Sequence, residues 1–219
     1  RGAELLRTIR SSDALRMRQM AAKLAAVFSR HGVDTGLDDA AIISRVAKRH
    51  GCRPEMITLQ ERHLAQAFQE VLFETVAPEQ RVQKVTDLLG KRPPSASCDA
   101  VPVQNEIRAG LMKAGKVCYV PETFVNLTQA HELILELGGI PCYPVLADGS
   151  AQRCDYEAPV EKLIESLKMK NFKMAELIPI RNSPAVLTDY VTAIRQAGIA
   201  VVAGTEHNTL DLLPLQPTC

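Results

Sequence analysis

The sequence predicts an α/β protein, with an all-helical region over residues 1–115 followed by parallel βα units over residues 116–219. Two observations carry this. Hydrophobic spacing is helical up to about residue 115, and beyond it short apolar runs alternate with helical runs. The apolar runs at 117–120, 140–147, 174–178 and 199–203 are each separated by a single helical segment, which gives the order β-α-β-α-β-α-β. A single helix between strands returns the chain to its starting edge, so such strands are parallel. Their near-continuous apolar character fits strands covered on both faces.

Residues 3–30 read as one long helix or two shorter ones, with Leu5, Leu6, Ile9, Met20, Leu24, Val27 and Phe28 in helical register and Gly32 as the stop. Residues 1–31 carry seven Arg or Lys against Glu4 and Asp13; a solvated outer face or an anion-binding helix both fit. A second helix spans 38–49, with Ala41, Ile42 and Val46 on one face. The third is expected to start at a capping box of Thr58 and Glu61, followed by the stripe Leu64, Ala67, Phe68, Val71 and Leu72. Helices at 79–89 and 103–114 end at Gly90 and Gly115, around a loop at 93–97. In the second half, Asn126 and Gln129 cap a helix with the stripe Ala130, Leu133, Ile134 and Leu137. Another helix covers 159–169, and Ser183 followed by Pro184 starts the last one.

A chain of 219 residues with 46% hydrophobic and 23% charged residues is long enough to bury a sizeable core. Lys and Arg number 26 against 25 Asp and Glu, so overall charge points to neither nucleic acid nor membrane as a partner. There is no Trp and aromatics are 4%, which argues against a base-stacking platform. No run approaches the roughly 20 apolar residues of a membrane span. Six cysteines form no C-x-x-C pair, and Cys118 and Cys142 fall in apolar runs. Buried reduced thiols are the simplest reading, so a cytoplasmic location is expected. The start at Arg1 and the stop at Cys219 suggest a fragment.

Ligands of parallel sheets bind at the C-terminal ends of the strands. Those ends carry Glu122, Asp148, Arg181 with Asn182, and Glu206 with His207 and Asn208. Carboxylate and neutral imidazole suit Zn²⁺, Mn²⁺ or Fe²⁺, and a guanidinium suits an anionic group. Without a metal, Glu206 and His207 suit acid–base chemistry. His31 and His50 sit at helix ends, His131 is expected on a surface, and Glu61, Arg62 and His63 face the cleft if the helical half folds over it.

The segment Glu132 to Asp148 (ELILELGGIPCYPVLAD) and the segment Val201 to Asn208 (VVAGTEHN) resemble the polymerase-and-histidinol-phosphatase (PHP) family. The resemblance covers roughly residues 115–210. It implies a partial, distorted TIM-like barrel, divalent metal ions (Mn, Zn or Fe) at the strand ends, and hydrolysis of small phosphorylated substrates. On this reading His207, Glu206 and Asp148 hold metal, and Glu206, His207 and Arg181 are catalytic, with Arg181 on the anion. The family's opening His-x-His strand is absent from these residues, which again implies a fragment, and the helical half corresponds to an insertion. A metal-independent βα-barrel lyase or isomerase and a non-catalytic binding domain are the alternatives.

Overall fold

The computed structural model describes residues 2–92, 99–122, 125–150, 154–205 and 216. The protein is mixed α/β and mostly helical, with one three-stranded parallel sheet. It divides into a helical unit, residues 3–124, and a βα unit, residues 125–219 with residues 1–2.

The helical unit is built on α1 (Gly2–Arg30), a single uninterrupted helix. Its second half buries Met17, Met20, Ala21, Leu24, Val27 and Phe28. Their 3–4 residue spacing makes one face, and each large side chain fully buried there contributes roughly 2 kcal/mol of burial. Against it pack α2 (Asp39–His50), α3 (Glu61–Thr75), α4 (Pro78–Leu89) and α5 (Ala100–Ile107), the last continuing into a π-helical turn at Arg108–Met112. Phe28 meets Phe68 edge to face at 5.0 Å.

Two expectations are corrected here. The third helix starts at Glu61 and not at the Thr58 box: Gln60 is the N-cap residue, and its N–H donates to His63 Nδ1 at 3.1 Å. Residues 117–120 are not a strand. Cys118 is fully buried in the helical core and its N–H donates to Leu111 O at 2.9 Å. The carbonyls that a neighbouring strand would have satisfied are taken by α1 side chains instead: Lys23 Nζ donates to Tyr119 O at 2.7 Å and Arg16 Nε to Val120 O at 3.1 Å. The helical unit therefore runs past the change of pattern near residue 115.

In the βα unit, β1 (Cys142–Pro144), β2 (Met174–Leu177) and β3 (Ala200–Ala203) lie side by side in sequence order and parallel, as the single-helix connections predict. The register pairs Tyr143 with Ala175 and Ala175 with Val201. Two crossovers in the same direction place α7 (Val160–Met169) and α8 (Pro184–Gln196) on one face. There Leu163, Leu167, Leu187, Tyr190 and Ile194 cover Ala175 and Leu177. The strands are not covered evenly: Ala200, Val202 and Ala203 of β3 are exposed. Helix α6 (Leu127–Glu136) has the expected Asn126–Gln129 cap, with Gln129 N donating to Asn126 Oδ1 at 2.9 Å. Its stripe is not a buried one, since Leu133 is buried but Leu137, just past its end, is 60% exposed. Three strands do not close a barrel, and among the described residues there is no fourth. No helix among them is long and apolar enough to cross a membrane.

Candidate functional site at the strand ends

The C-terminal end of β1 runs on into a tight turn. Val145 N still donates to Glu176 O of β2 at 2.8 Å, and Gly149 N donates to Leu146 O at 2.7 Å. Ala147, inside the turn, has φ of +46°, a left-handed conformation that costs a non-glycine residue on the order of 1 kcal/mol. A carboxylate holds it there. Glu157 is 1% exposed and accepts from Ala147 N at 2.9 Å, Leu146 N at 3.2 Å and Tyr143 Oη at 3.3 Å. Its carbonyl accepts from Tyr190 Oη at 2.7 Å, which ties the same residue to α8. Burial, with hydrogen bonds to Tyr156 and Glu157, raises the Tyr143 phenol above its ordinary value, so it stays a donor.

The turn presents Asp148, whose carboxylate oxygens accept from Ser183 N at 3.1 and 3.2 Å, at the start of α8. Asn182, buried, accepts from Gly149 N at 3.1 Å and donates to Ile178 O at 2.9 Å. Arg181 Nη2 donates to Gly149 O at 2.9 Å. The two loops thus clasp one another. Gly149 is required by closeness: a Cβ there would lie 2.9 Å from Leu146 O and 3.2 Å from Arg181 Cβ. The end of β3 joins the same edge, with Gly204 N donating to Leu177 O at 2.9 Å.

Of the residues expected at this face, Asp148, Arg181 and Asn182 are brought together. Glu206, His207 and Asn208 lie outside the described residues. Glu122 belongs to the helical unit, where it pairs with Arg16 at 3.1 Å, because residues 117–122 pack on helices. Glu61 and His63 also act within that unit. Glu61, 13% exposed, takes Arg16 at 2.7 Å, Lys113 at 3.0 Å and Arg108 at 3.2 Å. Burial pushes its pKa up, but the hydrogen bonds from Lys113 and Arg16 and the charges around it bring it below the ordinary value. His63 is lowered by burial and by Arg49 and His50. His131 is half-buried, its ring edge-on to Phe172 at 5.2 Å, and not a plain surface residue. Glu157 is not legible in the sequence, since its partners stand ten or more residues away and no local motif marks it.

Among the described residues no three His, Cys, Asp or Glu side chains gather in a metal-binding group. Cys52, Cys118, Cys142 and Cys154 are free thiols. Comparison with protein-family models, curated proteins and solved structures finds no match to this chain.

Proposed function

We propose that the βα unit works at the C-terminal edge of its sheet as part of a larger βα-barrel hydrolase that uses divalent metal to cleave small phosphate esters. The observation that carries this reading is the clasp between the first two strand ends, which places Asp148 and Arg181 on the edge from which the chain leaves β3 toward Glu206 and His207. Parallel sheets bind ligands at this edge. Asp148 fits a metal ligand, because a carboxylate that accepts an amide N–H retains lone pairs for a cation. Glu206 and His207 would complete the donor set, in keeping with the PHP resemblance. Asp148, Glu206 and His207 would hold the metal, which would supply Lewis acidity and lower the pKa of a bound water. Arg181 is exposed at this edge and orients the phosphate by charge and hydrogen bonding.

Mn²⁺ or Zn²⁺ should raise the melting temperature of the intact chain, and His207→Ala should abolish the increase. Identical melting curves with and without metal in both forms would overturn the proposal. A second reading has its own support: Asp148, Gly149 and Asn182 all spend hydrogen bonds on holding two loops together. It makes the clasp purely structural and the unit a non-catalytic binding domain, in which Asp148→Asn lowers stability but leaves any metal response unchanged.

A further inference from the structure

The helical unit contains a cleft unrelated to the strand ends. Its volume is about 450 Å³, within the range of roughly 300–1,000 Å³ of small-molecule sites. Three segments wall it. Arg10, Asp13 and Ala14 come from one face of α1, as their i, i+3, i+4 spacing requires. Asp39 and Ile43 come from one face of α2, and residues 55–59 close the third side. The floor is apolar: Leu59 is buried, and Ile43 and Ile57 pack on the core of the unit. Met56, 68% exposed, stands at the rim, a flexible side chain able to fold over an occupant.

The charges at the rim do not cancel. Asp39 is matched by Arg18 at 2.9 Å. Elsewhere in the unit Glu61, Glu70 and Glu74 each hold an arginine. Among the described residues, Asp13 and Glu55 hold no ion pair, and Arg10 is the cleft's remaining cation. Two unmatched carboxylates against one guanidinium leave the cleft with an excess of one negative charge over an apolar floor.

We infer that this cleft binds a small organic monocation, an amine with an apolar body whose ammonium lies between Asp13 and Glu55 and whose apolar part covers Ile43 and Ile57. A neutral apolar ligand would leave that excess negative charge uncompensated, and an anion would add to it. The test is an NMR titration of the full chain, methyl-labelled at Ile and Met, with 2-phenylethylamine and with its anionic counterpart 3-phenylpropionate. The amine should move the methyl signals of Ile43, Ile57 and Met56, saturably. The carboxylate should leave them in place. The variant Asp13→Asn with Glu55→Gln, whose side chains stand at the rim outside the core, should keep its melting temperature and bind the amine about tenfold more weakly or worse. Signals unmoved by the amine, equal shifts from both probes, or an unchanged affinity in the double variant would each overturn the inference.

Discussion

At the residue scale, the strand-end face depends on one buried carboxylate. Glu157 takes two amide N–H groups and a phenol, and it keeps Ala147 in its left-handed conformation next to Asp148. Removing it leaves three donors without their acceptor, each worth about 1 kcal/mol or more when buried. Glu157→Ala should therefore lower the stability of the βα unit by about 3 kcal/mol, read as a shift in its urea midpoint. Unchanged unfolding would mean that the turn holds itself. Gly149→Ala tests the same turn from the other side. Its Cβ must displace the Leu146 carbonyl or the Arg181 loop, so a cost of about 1–3 kcal/mol is expected. Asp148, Arg181 and Asn182 were legible in the sequence as polar residues directly after apolar runs. Their partnership with each other was not, because the bonds that make it cross 32 to 35 residues of chain.

At the element scale, periodicity succeeds where an element's own residues decide its form. The stripe from Leu64 to Leu72 and the cap at Asn126 are read correctly because the bonds concerned are local. Residues 117–120 fail this condition. Four apolar residues suit a strand, but among the described residues no strand pairs with them, and the carbonyls of Val120 and Tyr119 go to Arg16 and Lys23, 104 and 96 residues away. The start of α3 misled for a related reason. Glu61 is occupied by three cations and is not available to cap, so His63 caps through Nδ1. That cap needs a neutral imidazole. Burial and the charges of Arg49 and His50 hold the folded His63 below the ordinary imidazole value of 6.5, so its contribution is present above about pH 6.5 and is lost as pH falls through the folded value. The stability of the helical unit should therefore decline below pH 6.5, and His63→Gln, which caps without titrating, should flatten that decline. Equal pH profiles for the two proteins would remove His63 from the account.

At the scale of the whole molecule, each unit has its own core, one centred on Leu24, Phe28 and Phe68 and the other on Ala175, Leu167 and Ile194. Among the described residues none belongs to both clusters. The units differ in charge as well: residues 3–124 hold 18 Lys and Arg against 14 Asp and Glu, and residues 125–219 hold 7 against 11. The near-neutral total is thus the sum of a basic unit and an acidic one. Separate cores are the structural condition for departure from two-state unfolding. Scanning calorimetry should resolve two transitions. A cavity in a core costs about 2–5 kcal/mol, which moves the transition of the unit that contains it. Leu24→Ala should lower one transition and Ile194→Ala the other, each leaving its neighbour in place. If either substitution moved both transitions together, the two units would be one cooperative body, and the strand-end chemistry proposed for the βα unit would have to be sought only with the helical unit intact.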